Sequence, residues 1–179
     1  MEIIVLGAGA GGGLPQWNCG CQNCRDAREG KLPIMTQSSI AVSADRENWA
    51  VLNASPDIAA QLQRTPRLWP ASLRGSPIKA VLLTNGDIDH IAGLLTLREK
   101  TPFTIFATQS GIDILKTNSV FNVLDAGLVE RKKMFTEQSF HPVPGLTVTP
   151  FSVPGKVALF LEDESSLDLE AVGDQTIGL

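Results

Sequence analysis

The stretch Lys79-Ala80-Val81-Leu82-Leu83-Thr84-Asn85-Gly86-Asp87-Ile88-Asp89-His90 decides the fold of this chain. Lys79 to Leu83 is a short apolar run, as expected for a buried strand. A polar loop follows, and Ile91 to Glu99 then carries Ile91, Leu94, Leu95 and Leu97 at helical spacing. Strand, loop and helix in this order are the unit of an α/β protein, and sites collect in loops at the carboxyl ends of its strands. The loop offers Asp87, Asp89 and His90 within four residues. Carboxylate and imidazole together suit iron, manganese or zinc. A plainer reading competes: Asp87 caps the helix, Asp89 favours its dipole and His90 is a packing residue.

The alternation of short strands and helices continues on either side. Ile3 to Leu6 reads as a buried strand. Ser38 to Ser43 and Trp49 to Leu52 read as two strands joined by a polar turn. Ser55-Pro56-Asp57 reads as a helix start with Ser55 as the N-cap, leading into Ile58 to Arg64. Arg67 to Pro77 is expected to be loop. Phe103 to Ala107 is expected as a strand and Gly111 to Lys116 as a short helix. Leu146 to Phe151 and Val157 to Leu161 are expected as further strands. Glu162 to Glu170 reads as an exposed acidic loop, and Thr176 to Leu179 as a strand that has just begun. The chain therefore reads as a single domain over residues 1–179, either a fragment truncated at its C-terminus or half of a two-part architecture.

Cys19, Cys21 and Cys24 are the only cysteines, and they fall within six residues. Side chains two apart in an extended segment point to the same side. A short turn through Gln22-Asn23 brings Cys24 back to them. Three thiolates suit a structural zinc, which takes four tetrahedral ligands, so a fourth must come from elsewhere. His141, in a loop expected at the surface, is a weak candidate. Disulfides are disfavoured by the odd count and by the strain between such close neighbours. Three small buried thiols without metal are the bland alternative.

Gly7-Ala8-Gly9-Ala10-Gly11-Gly12 satisfies the dinucleotide-binding pattern, but Gly13-Leu14-Pro15 follows where a helix should open. The glycines fit a backbone packed closely around a site. Gln37-Ser38-Ser39 and Asn53-Ala54-Ser55 are polar strand ends able to face a pocket. No Gly-x-Ser-x-Gly elbow is present, so serine nucleophile chemistry lacks support. A net charge of −4 without any Lys/Arg run argues against nucleic acid or an anionic membrane as partner. No apolar stretch approaches membrane-spanning length. Clustered, reduced cysteines behind an N-terminus with no export signal fit a cytoplasmic protein.

Several blocks together carry a resemblance. They are Gly11 to Cys24, Thr36 to Ser43, Asn53 to Ile58, Ile88-Asp89-His90 with Gly93-Leu94-Leu95 and Leu97-Arg98-Glu99, and Val153 to Leu159. This set resembles the pyrroloquinoline quinone (PQQ) biosynthesis protein B family, and the similarity runs through the whole chain. The resemblance implies a metallo-β-lactamase-like αββα four-layer sandwich, of mixed α/β (α+β) class, here cut short because members of the family are longer. The superfamily's metal motif is His-x-His-x-Asp-His. Asp89 and His90 match its end, Asn85 and Asp87 stand at the two leading histidines, and Lys156 stands where another histidine is frequent. The depleted set suits one metal ion better than a two-zinc hydrolase site.

The resemblance further implies PQQ cofactor biosynthesis by a non-haem iron hydroxylase. Its substrate would be the tyrosine ring of a precursor derived from Glu and Tyr. Cys19, Cys21 and Cys24 would hold a structural zinc. Asp89 and His90, helped by Asp87, would form part of a catalytic Fe(II) site. PQQ or its precursor, and other proteins of the PQQ pathway, are the expected partners. The alternatives are a PQQ-binding protein that assists export, a metal-dependent hydrolase, and a non-catalytic fragment.

Overall fold

Six segments build one mixed sheet in the computed structural model, which describes residues 1–155, 160 and 175–179. The strands are β1 (Glu2–Gly7), β2 (Ser39–Ser43), β3 (Trp49–Leu52), β4 (Ile78–Leu82), β5 (Phe103–Ala107) and β6 (Val129–Lys133), side by side in chain order. β1, β2 and β3 pair antiparallel, and β3 through β6 run parallel. Parallel neighbours need crossover connections. α2 (Ile58–Gln63), α3 (Ile88–Ile91) and α4 (Gln109–Thr117) supply them, while α1 (Gln22–Arg28) lies between β1 and β2.

Side chains alternate across a strand, so one sheet serves two cores. On the helical face, Trp49, Val51, Val81 and Ile105 pack with Ile58 of α2, Ile91 of α3 and Leu115 of α4. On the other face, Ala50, Ala80, Leu82 and Phe106 pack with Met134, Val143, Leu146 and Ile177. Both faces of β4 are thus covered, which is why its sequence is an unbroken apolar run apart from Lys79. A second, two-stranded sheet is formed by β7 (Phe151–Ser152) and β8 (Ile177–Gly178).

Some elements differ from expectation, each for a local reason. The helix expected over Ile91 to Glu99 is α3 followed by a 3-10 turn at Ala92–Leu95. The Gly93 N–H leaves the helix ladder and donates to the Ala54 carbonyl at 2.8 Å. Helix α2 begins at Ile58 as expected, but Asp57 rather than Ser55 takes the N-cap position. Ser55 instead closes a turn, its Oγ accepting from Asp57 N at 3.2 Å and its carbonyl from Ile58 N at 3.0 Å. Helix α4 is longer than expected because Thr108 caps it, Oγ1 accepting from Gly111 N at 3.4 Å. Of the strand expected over Leu146 to Phe151, only Phe151 enters β7, while Val148 forms an isolated bridge to Phe140. Pro150 has no N–H to donate, and its carbonyl is taken by Glu137 N at 2.7 Å. The expected strand at Val157 to Leu161 (Phe160 apart), the acidic loop and Lys156 lie outside the described residues.

The β2–β3 turn is held by one carboxylate. Asp45 Oδ1 accepts from Asn48 N at 2.8 Å, Glu47 N at 2.9 Å and Ser43 Oγ at 3.0 Å, and Oδ2 accepts from Asn48 Nδ2 at 2.8 Å. These donors, the Asn48 N–H foremost, hold the Asp45 carboxyl far below the usual carboxylate range. A folded-state pKa below the unfolded one stabilises at neutral pH, and the contribution is lost as acid titrates the folded group. Asp45→Ala should therefore lower the Tm at pH 7, and the gap to wild type should narrow progressively below about pH 4. Thermal melts at pH 7 and pH 3 test this; a gap unchanged in acid would exclude the carboxylate as its source.

Candidate metal centres

Two groups of metal-ligating side chains converge among the described residues: Asp87, Asp89 and His90, and Cys19, Cys21 and Cys24. The first lies where β4 ends. Asn53, at the end of β3, has the left-handed φ of 61° that asparagine tolerates. Its Oδ1 accepts from Thr84 N at 2.9 Å and Thr84 Oγ1 at 3.1 Å, and its Nδ2 donates to Thr84 Oγ1 at 3.0 Å. The ends of β3 and β4 are stapled by this one amide. Asn85 Oδ1 then accepts from Asp87 N at 3.0 Å, which turns the chain into α3. The Asp87 carbonyl accepts from His90 N at 2.9 Å and Ile91 N at 3.0 Å. One helical turn thus carries Asp87, Asp89 and His90.

The donor atoms of these three side chains lie within 4.8 Å of one another, and all three residues are half-buried. His90 Nδ1 stands 3.0 Å from Asp89 Oδ1. That hydrogen bond, and then the charge attraction to the imidazole, outweigh burial and hold the Asp89 carboxyl below its ordinary pKa. The backbone of α3 is fixed in turn: the His90 carbonyl accepts from Ala54 N at 2.8 Å. From the other side the glycine loop closes in. A Cβ on Gly11 would stand 3.3 Å from Asp89 Oδ2, a close approach that the carboxylate would have to relieve by a few tenths of an ångström. A small set of carboxylate and imidazole donors, with the ring oriented by a carboxylate, fits one divalent ion of the iron, manganese or zinc type.

The second group forms at the start of α1. Cys21 is the N-cap residue in extended conformation, so Cys24 falls in the first helical turn, where the sequence suggested only a short turn. The three sulfurs lie within 4.8 Å of one another; Cys24 is buried, Cys19 half-buried and Cys21 exposed. Two arginines of α1 clasp the loop that precedes it. Arg28 donates to the Cys19 and Gln16 carbonyls, each at 2.7 Å, and Arg25 donates to the Gly20 carbonyl. The Cys21 thiol is lowered to about 7, first by the Cys24 N–H and then by the Cys19 and Cys24 thiols. At Cys24 a backbone hydrogen bond at Gln16 pulls down, but burial and the Cys21 and Cys19 thiols outweigh it and push the thiol up. Three converging thiols, one of them near its thiolate form at neutral pH, fit zinc.

His141 joins neither group. It is exposed, and its Nδ1 lies 3.2 Å from Thr147 Oγ1 and 3.3 Å from the Leu146 carbonyl. Gln37 and Asn53, noted only as polar strand ends, turn out to hold the loops around the first centre. Asp57 was read only as a helix-start residue. Its carboxylate instead accepts from Gln37 N at 3.0 Å and Gln37 Nε2 at 3.1 Å. Nothing local in the sequence signals that pairing across twenty residues.

Comparison with known proteins agrees with this architecture. Residues 48–173 match the beta-lactamase superfamily domain. Along its whole length the chain is 55% identical to the coenzyme PQQ synthesis protein B of Ruegeria pomeroyi and 57% identical to that of Rhizobium meliloti. It spans 60% and 59% of those two proteins. The crystal structure of Zn(2+)-bound PqqB from Methylobacterium extorquens superposes with a TM-score of 0.95 at 53% identity, covering 99% of this chain and 60% of that one.

Proposed function

The chain belongs to the beta-lactamase superfamily, and from that membership, with its identity to coenzyme PQQ synthesis proteins, we propose a role in PQQ biosynthesis. Its reaction is the oxygen-dependent hydroxylation of a tyrosine ring in a precursor derived from Glu and Tyr. A ring C–H becomes C–OH ortho to the phenol, and the second oxygen atom leaves as water with two electrons from a separate reductant. The observation that carries this reading is the grouping of Asp87, Asp89 and His90 within 4.8 Å at the carboxyl end of a parallel strand. Iron held there would supply dioxygen activation, the chemistry of two-histidine, one-carboxylate sites with open positions, toward which Asp89 and His90 give one carboxylate and one imidazole.

The residues around the centre have definable work. Asp89 holds the His90 ring in orientation through the Nδ1 contact at 3.0 Å. Asn53 and Thr84 lock the two strand ends that carry the loop. Cys19, Cys21 and Cys24 would hold a structural zinc that pins the N-terminal loop. The Zn(2+)-bound relative supports metal in this fold, and reduced thiol ligands suit a cytoplasmic setting. No helix among the described residues is long and apolar enough to cross a membrane. The net charge of −4 directs the search for partners to the precursor and pathway proteins, away from nucleic acid.

His90→Ala tests the assignment. In protein purified without oxygen, it should keep the fold and the zinc but lose the iron and abolish hydroxylation. Full activity in this variant would remove His90 from the centre. Tight binding of PQQ by wild type with no turnover on Fe(II), oxygen and a Glu-Tyr substrate would favour a carrier in place of the hydroxylase.

A further inference from the structure

We infer that Asp57 and Gln37 form a clamp that positions the glycine loop against Asp89, and so sets the geometry of the Asp87, Asp89 and His90 centre. This inference rests on the metal-centre reading proposed above and extends it to two residues remote in sequence.

The clamp begins at Asp57, the N-cap residue of α2. Gln37 is buried, at 8% exposure, and both halves of its side-chain amide are used. Nε2 donates to Asp57 Oδ2 at 3.1 Å, and Oε1 accepts from Gly12 N at 3.3 Å. Its backbone N–H reaches the same carboxylate oxygen at 3.0 Å. The amide is therefore oriented by its partners, with its donor facing a carboxylate and its acceptor facing an N–H. Gln61, fully buried on α2, backs the arrangement by donating to the Gln37 carbonyl at 2.8 Å and to Thr36 Oγ1 at 3.0 Å.

Beside this anchor the loop is laced to the 35–37 segment. Gly9 N donates to the Thr36 carbonyl at 2.8 Å, and Leu14 and Met35 exchange backbone hydrogen bonds at 2.7 and 2.8 Å. Gly12 and Gly13 take φ values of 94° and 72°, a bend that ordinary side chains rarely permit. The bend presents Gly11 to Asp89, with a Cβ position 3.3 Å from Oδ2. A continuous path of fixed groups thus runs from the start of α2, through Asp57, Gln37 and Gly12, to the carboxylate at the centre. Asp57 and Gln37 touch no donor of the centre themselves and act as positioning residues.

Cobalt(II) titration of the 179-residue chain reads both centres at once. Thiolate-to-cobalt charge transfer reports the cysteine group, and d–d bands without it report the Asp87, Asp89 and His90 group. Asp57→Ala should raise the Kd of the Asp87, Asp89 and His90 group about ten-fold or more, the scale seen when an outer partner of a ligand is removed. Its d–d bands should shift while the thiolate band stays as in wild type, showing that the fold is intact. Asp57→Asn keeps one acceptor oxygen for both Gln37 donors and should restore the wild-type Kd and spectrum. Gly11→Ala should weaken the same group through Asp89 directly, with the clamp untouched. Wild-type affinity and spectrum in Asp57→Ala would overturn the clamp alone. A signal from the Asp87, Asp89 and His90 group that survives His90→Ala, or is absent from wild type, would overturn the clamp together with the metal-centre reading beneath it.

Discussion

Cys19→Ser is expected to strip zinc from the N-terminal loop and to lower the Tm by roughly 10 °C. Structural zinc in small peptides contributes an apparent binding free energy of about 10–16 kcal/mol, far above any single contact in this chain. The six-stranded sheet has cores of its own on both faces, so the whole of that energy is not at stake for the fold. Loss of a structural metal belongs to the short list of changes that reach about 4 kcal/mol, and each kcal/mol moves the Tm of a domain this size by about 2–4 °C. Cys19 is the informative position. It is half-buried, and exchanging sulfur for oxygen there disturbs packing less than at buried Cys24. Chelator should melt wild type toward the variant and leave the variant unchanged. Acid should act in the same direction: with Cys21 titrating near 7, protons compete with zinc increasingly as the pH falls below neutrality. Zinc bound stoichiometrically and equally tightly by Cys19→Ser would remove Cys19 from the ligand set.

Gly93→Ala should be a severely damaging single-methyl change. The added Cβ would stand 2.7 Å from the Ala54 carbonyl oxygen and closer still to that of Ser55. Both obstacles are backbone, and neither is free to move. Ala54 N donates to the His90 carbonyl at 2.8 Å, the Ala54 carbonyl accepts from Gly93 N at 2.8 Å, and Asn53 is stapled to Thr84. Forcing these segments apart breaks the paired hydrogen bonds and overpacks a fully buried site, a cost of about 3 kcal/mol or more. The same displacement carries α3 away from the end of β3. The variant should therefore lose metal at Asp87, Asp89 and His90 before it loses metal at the cysteines. Gly20→Ala is the matched control. Nothing lies within 4 Å of a Cβ there, so its effect should stay within about 0.5 kcal/mol. Comparable melts for the two variants would show that the close approach at Gly93 is not as described.

Most of the order of elements and the two clusters of metal-ligating side-chain types were open to a reader of the chain alone. Lys79 to Leu83 is apolar because β4 is covered on both faces, and that pressure writes itself into consecutive residues. The same holds for Asp87, Asp89 and His90, and for the three cysteines: each group closes within one turn or loop, so spacing nearly suffices to bring its members together. Strand β6 was not readable. Its sequence, Val129-Glu130-Arg131-Lys132-Lys133, carries one apolar residue, because an edge strand keeps charge toward solvent. Arg131 spends its guanidinium on the Leu115 and Phe121 carbonyls, a use that no local pattern announces. The setting of the metal centre was equally hidden. Gly93 against Ser55, Gly11 against Asp89, and Asp57 on Gln37 are meetings of segments far apart in sequence. Periodicity and spacing report what neighbours along the chain do together, whereas these approaches exist only once the parallel crossovers bring the ends of β3 and β4 side by side.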